Sequence, residues 1–183
     1  MQKETIAIHA GYNKKQGNGE MAVPISQTTA YAFRDSEHAA NLFALKELGP
    51  IYTRLTNPTT DVLEQRFAAL EGGAAAICVS SGQAAIFYAV SNVAEAGDNI
   101  IISDKLYGGA ITLLTYTLKR FGISAKVFKS DDASNLEELI DNKTKAIFFE
   151  SLSNPQIAIA DVEKIVEIAK RHGVLTICDN TVA

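Results

Sequence analysis

From about residue 74 onward, short apolar, β-branched runs alternate with segments whose apolar positions recur every three or four residues. The runs 74–79, Asn99–Ser103, Ser124–Phe128, Thr144–Glu150 and 174–179 predict strands. None shows the strict polar alternation of a one-sided sheet, so burial on both faces is expected. Between them, 83–94, 109–121, 134–140 and 161–172 predict helices. Ser134 and Glu137 have capping-box spacing. Asp161 stands as an N-cap before Val162, Ile165, Val166 and Ala169 at i, i+3, i+4 and i+7, and Gly173 follows the last turn. Each intervening helix is long enough to return the chain parallel. The repetition predicts an α/β fold, a mostly parallel open sheet with helices on both faces, whose ligands bind at the carboxyl ends of the strands.

The first 73 residues carry no strand run, and 11–19 is polar and glycine-containing, which reads as an extended N-terminal arm. Two helices are expected there: 36–48, stopped by Gly49-Pro50, and Pro58–Glu71, with Asn57 as N-cap, Pro58 in the first turn and Gly72-Gly73 at its end. The chain divides accordingly into an arm over 1–57 and an α/β domain over 58–183, with no internal repeat.

Composition narrows the partners. Hydrophobic residues make up 47% and charged residues 21%, enough apolar material for a sizeable core. A net charge of −4 without a basic stripe argues against nucleic acid. The opening Met1-Gln2-Lys3-Glu4-Thr5 lacks the apolar segment of a signal peptide, and no run approaches a membrane span, so a cytoplasmic location without membrane association is expected. Cys78 and Cys178 each sit inside an apolar run, which points to buried free thiols and to neither a disulfide nor a metal site.

Three features converge on the carboxyl edge of the expected sheet. Ser80-Ser81-Gly82-Gln83-Ala84-Ala85 leads from a strand into a helix. Free backbone N–H groups at a helix N-terminus suit a phosphate monoester, although small residues also serve simply to make a tight turn. The pattern is neither G-x-G-x-x-G nor a P-loop, so a dinucleotide or ATP is not indicated. Tyr107, in Asp104-Lys105-Leu106-Tyr107-Gly108-Gly109, could stack on a planar ligand or merely pack over the strand end. Glu150-Ser151-Leu152-Ser153-Asn154-Pro155 and Asp179-Asn180-Thr181 reach the same edge. There a carboxylate either caps the following turn or pairs with a cationic ring nitrogen. Phosphate turn, stacking ring and terminal carboxylate together fit pyridoxal 5′-phosphate.

The same residues carry a resemblance. Glu4-Thr5, Ile8-His9-Ala10-Gly11, Val23-Pro24-Ile25, Gln27-Thr28-Thr29, Tyr52-Thr53-Arg54-Leu55-Thr56-Asn57-Pro58-Thr59, Ser80 to Ala85, Tyr107-Gly108-Gly109, Glu150 with Asn154-Pro155, and Asp179-Asn180-Thr181 run in family order and spacing along nearly the whole chain. The chain resembles the trans-sulfuration, or Cys/Met metabolism, family of pyridoxal-phosphate enzymes. Gln83 and Pro58-Thr59-Thr60-Asp61-Val62-Leu63-Glu64 are similar to its sulfhydrylase branch. The resemblance implies the large domain of the type I pyridoxal-phosphate transferase fold, with Ser81, Gly82 and Gln83 at the phosphate and Tyr107 stacked on the ring. It implies further that Asp179 holds the pyridinium proton, that Asn154 and Thr181 orient the ring, and that Tyr107 assists as a general acid or base. Tyr52 and Arg54, otherwise readable as exposed loop residues, would reach the phosphate of a neighbouring subunit. Self-association as a dimer or tetramer with a shared site follows.

The implied activity is γ-replacement on O-acetyl-L-homoserine with sulfide or a thiol, giving homocysteine or methionine and placing the enzyme in methionine biosynthesis. Cystathionine γ-synthase or a γ-lyase of the same family is the nearest alternative. A non-catalytic module that binds phosphate ligands or docks onto a subunit is an alternative of another class. The family's cofactor-bonding lysine lies in a Ser-x-Thr-Lys segment about 25 residues past the matching aspartate, beyond Ala183, and Lys105 does not occupy its position. The 183 residues therefore read as the N-terminal portion of a longer enzyme, inactive by themselves.

Overall fold

Four strands form one parallel sheet in the computed structural model, which describes residues 2–13, 15 and 19–183. The chain splits into two compact units, Met1–Cys78 and Val79–Ala183.

The first unit contains α1 (Lys3–His9), α2 (Ser36–Phe43) and α3 (Pro58–Glu71). α3 begins as its sequence requires: the Asn57 side chain accepts from the Thr59 amide at 2.9 Å, and Pro58 takes a position whose N–H would have no helical partner. α1 was not expected. Its end is tied to α3, where Arg66 Nε donates to the Ala10 carbonyl at 2.9 Å. α2 stops at Phe43, well before Gly49-Pro50, because Leu45 takes a left-handed backbone (φ 54°) and the Lys46 amide turns back to the Asn41 carbonyl. Part of the stretch 11–19 lies outside the described residues.

The second unit runs α4 (Gly82–Ser91), β1 (Asn99–Ser103), α5 (Gly108–Thr112), β2 (Ser124–Phe128), α6 (Leu136–Leu139), β3 (Thr144–Glu150), α7 (Val162–His172) and β4 (Leu175–Asp179). The strand order is β2-β1-β3-β4, every pair parallel. A period of two sorts the sheet side chains. Ile100, Ile102, Ala146 and Phe148 face α4 and α5, packing with Ile86, Val90, Ala110 and Leu114. Ile101, Ile147 and Phe149 face the other way, packing with Leu136, Ile165 and Ile168. Helices thus cover both faces, as an α/β reading requires.

Several expectations need correction. Residues 74–79 form no strand: a strand exists only as a ladder, and this run pairs with none of the four strands, its place beside the sheet's free edges left untaken. Burial on both faces holds for β1 and β3, whereas β2 and β4 are edge strands with exposed positions such as Val127 and Leu175. For these reasons Cys78 and Cys178 are free but exposed, not buried. The helix expected over 109–121 is one α-helical turn, then a π-helical turn at Leu113–Thr117 and a 3-10 turn at Leu118–Phe121. No capping box forms at Ser134: its amide donates to Asp132, and the Glu137 carboxylate faces Arg171 and His172 instead. The α7 ends match their signals, with Asp161 accepting from the Lys164 amide and Gly173 left-handed at φ 65°.

Candidate active site

The helix α4 starts at the turn that the sequence singled out. Ser81 is its N-cap, and its Oγ accepts from the Ala84 amide at 3.1 Å. This occupies the third amide and leaves those of Gly82 and Gln83, at the first two positions, without an intrahelical acceptor. A Cβ built at Gly82 would meet nothing within 4 Å, so the space beside these amides is open. The α4 dipole adds partial positive charge at the same point.

Tyr107 is held from below. Ser103 makes a tight turn after β1, its Oγ donating to the Lys105 carbonyl and accepting from the Lys105 amide. Leu106 is fully buried and anchors the next position, which leaves Tyr107 51% exposed at the mouth of the cavity. Gly109 explains the seating of the ring. A Cβ there would lie 2.6 Å from Tyr107 Cε1 and 3.1 Å from Gln83 Nε2, so the bare α-carbon admits both side chains. Lys105 is engaged elsewhere, its ammonium on the Asp131 carboxylate.

The sheet's alternation delivers the acidic residues. Two places beyond Phe148 and two beyond Ile177, Glu150 and Asp179 are register partners that end β3 and β4 on the α4 and α5 face. Asp179 Oδ1 accepts from both the amide (2.9 Å) and the hydroxyl of Thr181, which leaves Oδ2 for a further donor. Glu150 is 5% exposed, with Oε1 accepting from the Tyr107 amide at 2.7 Å and Oε2 from the Asn154 amide at 3.0 Å.

Ser81, Gly82, Gln83, Tyr107, Asn154, Asp179 and Thr181 accordingly line one cavity of about 300 Å³, the volume of a small-molecule site. Ile86, Leu152 and Val182 add an apolar wall, and Glu150 completes it. Glu150 stood in the sequence motif without a role. A charged residue ending the apolar run 146–149 was the signal available. Tyr52 and Arg54 belong to the first unit, in the segment between α2 and α3. Tyr52 bridges Ala30, and the Arg54 guanidinium lies 5.5 Å from the centre of its ring.

Residues 4–183 match the family model described as Cys/Met metabolism PLP-dependent enzyme. A sulfhydrylase of Fusarium oxysporum is 50% identical over 97% of the chain, which covers 41% of that protein. O-acetyl-L-homoserine sulfhydrylase 1 of Thermus thermophilus is 47% identical over 99% of the chain, or 43% of its own length. A Campylobacter jejuni crystal structure, described as an O-acetylhomoserine (thiol)-lyase with a pyridoxyl-lysine phosphate, superposes with a TM-score of 0.96 at 58% identity, covering all of this chain and 45% of that one. The chain therefore spans less than half the length of these relatives. With a family match over nearly its whole length and a parallel sheet of the same architecture, the chain belongs to the Cys/Met metabolism family of pyridoxal-phosphate-dependent enzymes.

Proposed function

We propose that the cavity at the carboxyl edge of the sheet is a pyridoxal 5′-phosphate site and that the intact enzyme carries out γ-replacement on O-acetyl-L-homoserine. The observation that carries this reading is the meeting, in one cavity, of two unengaged helix-start amides, an aromatic ring and a carboxylate with a spare oxygen. The donor set fits the group. Open space at Gly82 admits a phosphate against the Gly82 and Gln83 amides, and the Ser81 hydroxyl, already accepting from Ala84, has its proton to donate. The exposed Tyr107 face offers a stacking surface, and Asp179 Oδ2 would hold a proton on the ring nitrogen. Asn154 and Thr181 fix the surroundings of that contact. Bound there, pyridoxal phosphate supplies an electron sink for charge released at the substrate α-carbon. Tyr107, at the mouth, is positioned to pass a proton to or from a substrate as a general acid or base.

The similarity to named sulfhydrylases supports O-acetyl-L-homoserine and a sulfide or thiol as substrates, with homocysteine or methionine as product. Residues 1–57 then serve as an arm between subunits, Tyr52 and Arg54 completing the phosphate site of a neighbour in a dimer or tetramer, and 58–183 as the cofactor domain. Among the described residues no helix is long and apolar enough to cross a membrane. The test is a product assay on the full-length protein. O-acetyl-L-homoserine with sulfide should give homocysteine. Cystathionine formed only with cysteine, or 2-oxobutanoate formed without a thiol, would replace this reading with a γ-synthase or a γ-lyase.

A further inference from the structure

We propose that Glu150 is a positioning residue that sets the cofactor contacts of Tyr107 and Asn154, a proposal resting on the reading of the cavity as the pyridoxal-phosphate site. Glu150 is nearly inaccessible, yet among the described residues its carboxylate forms no ion pair; both of its oxygens go to backbone amides. Those amides lie in two different loops, Tyr107 at the end of the one between β1 and α5 and Asn154 within the one between β3 and α7. Chain folding alone does not fix the relative placement of two loops that leave separate strands. A single carboxylate that accepts from both does, because it has two oxygens at fixed separation and charge-assisted bonds are stronger than neutral ones.

The arrangement also bears on Asp179. As register partners, the two carboxylates emerge side by side. The two N–H donors compensate the Glu150 charge within the protein, while Asp179 keeps an oxygen unengaged by Thr181. The pair thus divides its work: Glu150 is spent on the scaffold and Asp179 remains available to the ring nitrogen. A carboxylate serving only to complete the fold would need no such alignment with the residues of the cavity. Here every group that Glu150 holds lines the cavity, as does Glu150 itself.

The test uses the full-length protein stripped of cofactor and titrated with pyridoxal phosphate, followed by visible circular dichroism, with thermal unfolding of the apoprotein measured alongside. Glu150→Gln keeps the shape but turns one acceptor into a donor that faces an N–H. Glu150→Asp keeps the charge and draws both acceptors back by one methylene. Each variant is expected to bind pyridoxal phosphate at least tenfold more weakly than wild type and to give an altered cofactor dichroism. If Glu150→Gln does not fold, Glu150→Asp carries the test. A folded variant with wild-type affinity and wild-type dichroism, even at a lowered melting temperature, overturns the proposal, as does failure of both variants to fold. Failure of the wild-type protein to bind pyridoxal phosphate would instead sink the cofactor reading itself.

Discussion

Asp179 serves two purposes with two oxygens. One caps the turn through Thr181, so the turn and the ring contact are not competing explanations of this residue. Asp179→Asn keeps a capping oxygen and removes the charge, and a charge-assisted hydrogen bond contributes about 1.5–3 kcal/mol. Pyridoxal-phosphate affinity should fall roughly tenfold to a hundredfold, read by titration of the apoprotein, with unfolding little changed. Gly109 offers the complementary case. Gly109→Ala places a methyl against the Tyr107 ring, which can swing outward, and alanine is the better helix former within α5. The melting temperature should hold or rise while the cofactor dichroism shifts; an unchanged spectrum would show that the ring does not rest where the structure has it. Asp179, Tyr107 and the Gly82 turn were legible in the sequence because each follows an apolar run or opens a helix, positions that topology sends to one edge. The work of Glu150 was not. Its partners are backbone amides 43 and 4 residues away, and an amide leaves no mark in a sequence.

Among the elements, β1 and β3 are the interior strands, and their apolar runs announced them plainly. β3 carries Ile147 with no exposed surface, packed against the α6 and α7 side. Ile147→Ala should destabilise the protein by about 2–5 kcal/mol, measured by denaturant unfolding. At the opposite end of the sheet from the cavity, Asp141 ties three strands. It accepts from Lys126 Nζ of β2 at 2.8 Å, from Asn99 Nδ2 at the start of β1 at 2.8 Å, and from Thr144 Oγ1 at the start of β3 at 3.2 Å. These donors, Lys126 foremost, hold its carboxyl well below the ordinary carboxylate range. A lowered folded-state value means that the stabilisation is complete above the unfolded value and is lost as pH falls through the folded one. Asp141→Asn should therefore melt lower than wild type at neutral pH, with the gap closing as pH drops below about 4; a gap independent of pH would assign the loss to packing. The misread segments share a cause. Strand 74–79 had the right residues and no partner, and the helix expected over 134–140 lost its capping box, the Glu137 carboxylate having found Arg171 and His172, a pairing across 34 and 35 positions that local spacing cannot reveal.

For the molecule as a whole, the central question about assembly is whether Tyr52 and Arg54 act on their own subunit or on a neighbour. Mixing Arg54→Ala and Asp179→Ala subunits of the full-length enzyme distinguishes the two. If Arg54 serves the adjacent site, each hybrid dimer contains one site with both residues intact, and activity returns on mixing. If it serves its own subunit, both sites of the hybrid remain damaged and activity stays lost. The fold and the cavity rest on the same logic of parallel strands ending at one edge, and they stand or fall with what that edge binds. The decisive measurement is a crystal structure of the full-length protein with pyridoxal 5′-phosphate. The phosphate is predicted on the Gly82 and Gln83 amides, with the Tyr107 ring over the pyridine and the Asp179 carboxylate on its nitrogen. A cofactor seated away from these residues, or an Asp179 side chain that leaves the ring nitrogen without a partner, would contradict the account.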